Sequence, residues 1–328
     1  MCGARPFRSQ DPLRALEQVC FCVSWTNAPV LKGVAPAPIL CSPGRRRLRA
    51  GRPGLASSEE RQEVLENRVK RILRQGRTAI AGFAGCLGCA EMVEIIGHSG
   101  FDGVFIDMEH MPYDLREIQR MVMAAERMGI TPLVRIPGFD PALILRLLDC
   151  GTQGIHVPHV TSAEAARAAV RAVYYPPLGD RGLLTASRAS CYGKLPLAEH
   201  IAQSNREVLL TVLIEDGEAL EEIDAIAATE GVDVVAPGPV DLARSLGVIG
   251  QPDHPRLVAA MERIANAVRK SQRTRLALPL GNIMYPRTAA EFIALGGGLA
   301  LAGGAPEVRL LRSLSQEAAD LRRTIGES

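Results

Sequence analysis

In the stretch DGVFIDMEHMPYDL, Asp102 to Leu115, an apolar run from Gly103 to Ile106 stops at three polar groups, Asp107, Glu109 and His110. Histidine exchanges a proton near neutral pH, and a carboxylate three residues earlier can hold its imidazole in one orientation. Asp107 and His110 therefore read as an orienting group and a base, with Glu109 secondary. Arg135, at the end of TPLVR, offers a planar fork of donors suited to a carboxylate or to charge developing on a carbonyl oxygen. Glu215 and Asp241 are hard oxygen donors; two such carboxylates can share Mg2+ or Mn2+, with Co2+ a further option, leaving waters and substrate to complete the shell. The turn Gly238-Pro239-Val240-Asp241 could point the N–H groups of Val240 and Asp241 at a small anion. A metal, an electrophilic clamp and a base make up an enolate-forming site. Taken singly, each residue has a plainer reading as a helix cap, an ion-pair partner or a satisfied polar group. Their shared position along the fold is what joins them.

That position follows from the elements. Strand-length apolar runs begin at Thr78, Gly103, Thr131, Gly154, Val208, Val232, Arg275 and Gly298. Between them, helical periodicity covers Ala90 to His98, Leu115 to Met128 with Asp114 as N-cap, and Pro141 to Asp149. It returns over Ala163 to Val173, Glu218 to Ala228, His254 to Ser271 and Thr288 to Leu295. Strands alternating with helices imply a parallel sheet with right-handed crossovers. Eight such units over about 270 residues predict a (β/α)8 barrel. A doubly wound sheet is disfavoured because no strand is followed by G-x-G-x-x-G. In a barrel, chemistry gathers at strand C-termini. Asp107, Glu109 and His110 follow the second strand, Arg135 ends the third, and His156 and His159 flank the end of the fourth. Glu215 and Asp216 end the fifth, and Asp241 follows the sixth.

Bulk properties set limits. The 328 residues are 47% hydrophobic and 23% charged with a formal net charge of +2, which describes a globular chain with a sizeable core. No run approaches the roughly 20 apolar residues of a membrane-spanning helix. Residues 1–57 carry nine Lys or Arg against Asp11 and Glu17, net +7, so the remaining 29 basic and 34 acidic residues give −5. This basic, proline-rich segment reads as a disordered extension or a mis-assigned start, and 58–328 as one catalytic barrel. Without an amphipathic stripe or an aromatic ladder, it indicates neither nucleic acid nor a membrane as partner. Eight scattered cysteines suggest reduced thiols and a cytoplasmic setting. Cys86 and Cys89 have redox spacing but read as small residues after the first strand. Met121, Met123 and Met128 read as helix packing. Ser57 and Glu60 have capping-box spacing before an apolar stripe of Val64, Leu65, Val69, Ile72 and Leu73.

Several motifs, in order and spacing, carry a resemblance: GFDGVFIDMEHMP, PLVRIPGFDP, LLDCGTQGIHVPHV, YYPPLGDRG with SRAS, LIED, and GVDVVAPGPVDLARSLG. From about Arg71 to Arg312 the chain resembles the HpcH/HpaI aldolases, metal-dependent class II pyruvate aldolases that include 4-hydroxy-2-oxoheptanedioate and 2-dehydro-3-deoxyglucarate aldolases. The resemblance implies a (β/α)8 barrel, a divalent metal, and reversible cleavage of a 4-hydroxy-2-oxo acid to pyruvate and an aldehyde. It also implies a homo-oligomer, a hexamer or a dimer that exchanges last helices. Position by position, it makes Glu215 and Asp241 the metal ligands, His110 the base, Asp107 its orienting partner, and Arg135 the group that stabilises the enolate oxygen. Related readings are an oxaloacetate decarboxylase, a macrophomate synthase or citrate lyase β-like lyase, and a non-catalytic metabolite-binding barrel. Departures from the family pattern bear on substrate choice. Leu213 replaces a glutamine two positions before the metal glutamate, Met111 replaces a small residue after the histidine, and His159 replaces a methionine after strand four. The usual FIGPADL-like turn reads APGPVDL, and the last strand runs into GGAPEV.

Overall fold

The computed structural model describes residues 65–326; the basic segment and the capping box expected at Ser57 lie outside them. Eight parallel strands close into a barrel in sequence order: β1 (Ala79–Phe83), β2 (Gly103–Asp107), β3 (Thr131–Arg135), β4 (Gly154–Val157), β5 (Leu209–Ile214), β6 (Val234–Pro237), β7 (Arg275–Pro279) and β8 (Gly297–Leu301), which returns to β1. Each strand falls where an apolar run predicted it. The reason is burial on both sides: all five residues of β2 and all six of β5 are buried, so neither strand needs alternation with polar residues.

The helices obey their caps. Asp114 accepts from the N–H groups of Arg116 and Glu117 while Glu117 accepts from the N–H of Asp114, a capping box that starts Leu115–Met128 where the sequence predicted it. Gly129 ends that helix in the left-handed region at φ 66°. Three helices went unpredicted. Leu197–Glu207 buries His200, Gln203, Ser204 and Glu207, so its inward face carries no apolar stripe to read. Pro239–Ser245 occupies what the sequence suggested was a turn, with Gly238 as N-cap. Pro306–Thr324, the last helix, has no buried residue and leaves Leu310, Leu311, Leu314 and Leu321 exposed.

The short helix Arg68–Arg74 closes the N-terminal mouth of the barrel. Its N-cap, Asn67, is fully buried, and its side-chain amide donates to the carbonyls of Gln153 and Glu207. Val69, Ile72 and Leu73 then pack on the inward residues Ala79, Ala81, Leu133, Leu209, Val234 and Leu299. Lys70 is buried beside Asp233 at 3.0 Å, and that same carboxylate accepts from the Tyr174 hydroxyl. With this end sealed, the barrel interior can open only at the opposite end.

Candidate active site

Register decides which side chains face one another above the core. Asp107 lies beside Arg135 on β2 and β3, Arg135 beside His156 on β3 and β4, and His156 beside Thr211 on β5. Residues paired across neighbouring strands point the same way, and alternate residues along a strand share a face. Phe105, Asp107, Arg135, His156, Thr211, Leu213 and Glu215 therefore form one inward set. A cavity of about 250 Å3 opens here, walled by Phe83, Phe105, Leu213, Ala236 and Leu301, with Arg135, His156 and Glu215 as its polar side chains.

Arg135 is the hub. Its Nε donates to Asp107 Oδ1 at 2.9 Å and its Nη2 to Oδ2 at 2.5 Å, a bidentate pair in which Asp107 is almost wholly buried. Its Nη1 lies 2.9 Å from Glu109, without hydrogen-bond alignment, and 3.9 Å from Glu215. Burial opposes the charge on Arg135, but Asp107, Glu109 and Glu215 outweigh it and raise its pKa. The guanidinium also sits 5.7 Å from the Phe105 ring centroid.

Two expectations about the second strand are corrected. Asp107 does not hold His110, because Arg135 binds both of its oxygens and the N–H of Glu109 also donates to Oδ1 at 3.0 Å. Glu109 is central rather than secondary. It lies 2.9 Å from Arg135, 3.7 Å from His110 Nε2 and 3.6 Å from His159 Nε2. Sequence spacing favoured Asp107 because three residues suggest proximity, but beyond Asp107 the chain leaves the strand.

His110 stands at the rim with its side chain 58% exposed. His159, at φ 53°, occupies a left-handed backbone conformation that directs its Nδ1 to Asp216 at 2.9 Å. Partial burial opposes its charge, yet Asp216, Glu215 and Glu109 prevail and raise its pKa. Met111 is half-buried, outside the cavity wall, its carbonyl accepting from the N–H of Tyr113. Asp241 is also near the surface, bonded to Arg244 at 3.2 Å. The N–H groups of Val240 and Asp241 belong to the first turn of Pro239–Ser245, where no preceding helical carbonyl serves them. Gly238 cannot carry a side chain: a Cβ there would lie 2.5 Å from Glu215 Oε1. Gly303 is held as tightly, since a Cβ would meet the Leu280 carbonyl oxygen at 1.6 Å, which brings the loop after β8 against the cavity.

Burial, then the neighbouring Glu109, push the Glu215 carboxyl above its ordinary pKa, despite Arg135 and His159. Asp107, Glu109 and Glu215 converge on one guanidinium, and His159 lies 3.6 Å from Glu109 and 3.9 Å from Glu215. Among the described residues no three His, Cys, Asp or Glu groups form a ready metal cluster. An ion such as Mg2+ needs only one or two carboxylates and completes its shell with water and substrate, and Glu215 is the carboxylate on the cavity wall.

His156 is fully buried, and neither ring nitrogen has a hydrogen-bond partner. Burial, then Arg135, lower its pKa to about 3. A depressed histidine pKa means that the unfolded chain binds a proton the folded chain refuses. This contribution to stability is complete above about pH 6.5 and is lost as the pH falls toward 3. Between pH 7 and 5 it amounts to about 2 kcal/mol. Urea unfolding at both pH values should show that loss in the parent, and a shallower fall in His156→Leu; equal falls in the two proteins would reject this account.

The family profile described as HpcH/HpaI aldolase/citrate lyase matches residues 87–296, which include Asp107, Glu109, His110, Arg135, His156, His159, Glu215 and Asp241. The chain belongs to the HpcH/HpaI aldolase/citrate lyase family. It is 40% identical over 242 residues to a pyruvate aldolase of Rhizobium etli, covering 74% of this chain and 92% of that one. It is 36% identical over 230 residues to a 5-keto-4-deoxy-D-glucarate aldolase of Escherichia coli O6:H1, covering 69% and 86%. A solved structure of an HpcH/HpaI aldolase/citrate lyase family protein from Burkholderia cenocepacia J2315 superposes with a TM-score of 0.71 at 30% identity, covering 78% and 99%. The (β/α)8 barrel is thus shared with the family, and the chain is an enzyme, a lyase of the aldolase class.

Proposed function

We propose that this HpcH/HpaI enzyme reversibly cleaves a 4-hydroxy-2-oxo acid to pyruvate and an aldehyde. The observation that carries the reading is the Arg135 guanidinium, fixed by Asp107 on the wall of a cavity that also presents Glu215. Breaking the C3–C4 bond of such an acid leaves an electron pair that becomes the enolate of pyruvate. Arg135 faces the oxygen that gains this charge, so it favours the transition state over the neutral ketone. His110, at the rim, accepts the proton of the C4 hydroxyl as that carbon becomes the aldehyde carbonyl. Asp107 acts through Arg135, whose Nη1 also lies 2.9 Å from Glu109. Glu215 and Asp241 would hold a divalent cation, which supplies Lewis-acid stabilisation of the developing charge. Gly238 and Pro239 bring the N–H groups of Val240 and Asp241 toward the substrate.

The test is pyruvate release from a panel of 4-hydroxy-2-oxo acids with Mg2+, Mn2+ or Co2+ added. Release from at least one is expected. No release from any would overturn the reading, and consumption of oxaloacetate alone would replace it with a decarboxylase. In calorimetry with Mn2+, Glu215→Ala should bind the ion at least about tenfold more weakly than the parent. Equal binding would remove Glu215 from the metal site.

No helix among the described residues is long and apolar enough to cross a membrane; the cytoplasmic setting proposed here rests on the scattered cysteines of the sequence. The exposed leucines of Pro306–Thr324 support a homo-oligomer that exchanges this helix. Light scattering should give a multiple of 35.2 kDa, and a single-chain mass would count against it.

A further inference from the structure

We infer that His156 is a substrate-binding residue, its imidazole N–H donating to a carboxylate oxygen of the 2-oxo acid on the cavity floor. This rests on the proposed 2-oxo acid chemistry and adds a contact to it. His156 is fully buried, lines the cavity and leaves both ring nitrogens without partners. A buried polar group of this kind costs stability unless something completes it, and His156 is among the residues that surround the cavity. The remaining wall is hydrocarbon or backbone apart from Arg135 and Glu215, so an acid reaching the floor meets only two side-chain donors. These donors, the guanidinium and the imidazole, stand side by side in register on β3 and β4.

The imidazole is held in place and in the right form. The Phe105 ring meets it edge-on at 5.0 Å between centroids with planes at 90°. Burial and the neighbouring guanidinium keep it neutral, so one nitrogen donates and the other accepts. Leu213, two residues beyond Thr211 on the adjoining strand, gives the substrate no hydrogen bond. Where the strand-five position offers only hydrocarbon, the strand-four histidine supplies the polar contact. A pocket with an unsatisfied donor also selects against ligands without an acceptor there, because binding them leaves the donor unpaired.

Pyruvate is the probe. Calorimetric titrations with Mg2+ present would compare the parent with His156→Leu and His156→Asn, the latter keeping a donor. The expected result is that His156→Leu weakens pyruvate binding about 10- to 100-fold, raising KM more than it lowers kcat, and that His156→Asn recovers part of the affinity. In the parent labelled with 15N-histidine, pyruvate should shift the His156 ring resonances, a measurement that stands even if a variant fails to fold. Unchanged affinity in His156→Leu, or unmoved ring resonances at saturation, would overturn the assignment while leaving the aldolase reading intact if the parent cleaves its substrates. A parent that neither binds pyruvate nor releases it would overturn both.

Discussion

Arg135→Ala should lower kcat for pyruvate release by about 10²- to 10³-fold, the cost of removing a preorganised donor from developing negative charge. Arg135→Lys should not restore the rate, since an ammonium cannot reproduce the fork that binds both oxygens of Asp107. Arg135→Ala should also destabilise the fold by about 3–5 kcal/mol, because it strands Asp107 and Glu109 without their cation. Asp107→Asn added to Arg135→Ala should then recover stability but no activity. Steady-state kinetics and urea unfolding of the three variants check this. Wild-type kcat in Arg135→Ala would remove Arg135 from the chemistry. A double variant no more stable than the single one would mean that the ion pair is not what holds the cluster.

His110→Ala should lower kcat by about 10²- to 10⁴-fold, the range of positioned proton transfer. Mn2+ affinity should be unchanged. Because the His110 side chain is 58% exposed, imidazole added to the buffer should reach its place and restore part of the rate. His159→Asn should retain more activity than His110→Ala: three carboxylates raise the pKa of His159, so its ring is poorly suited to accept another proton. If His159→Asn loses the larger share and His110→Ala keeps its rate, the base has been assigned to the wrong histidine.

Much of the site was legible because a barrel sorts residues by position. Arg135 and Glu215 could be found from the end of an apolar run, since a buried strand ends where the chain again tolerates charge. The cavity wall could be found only in part. Phe105 is an inward residue of β2, and a strand buried on both faces gives no alternation to show which side is which. Leu197–Glu207 escaped for a related reason, as its buried face is polar.

The chain alone determined the eight strands, most of the intervening helices and the gathering of polar groups at one end, because apolar period, caps and strand length are local properties. Only the tertiary structure decided which polar groups touch. Asp107 serves Arg135, 28 residues away in sequence, rather than His110 three residues on. Glu109 joins Arg135 to two histidines, and His156 faces a cavity rather than the core. Those pairings depend on the register between strands and on the path of the loops beyond them, distances that spacing within one segment does not contain.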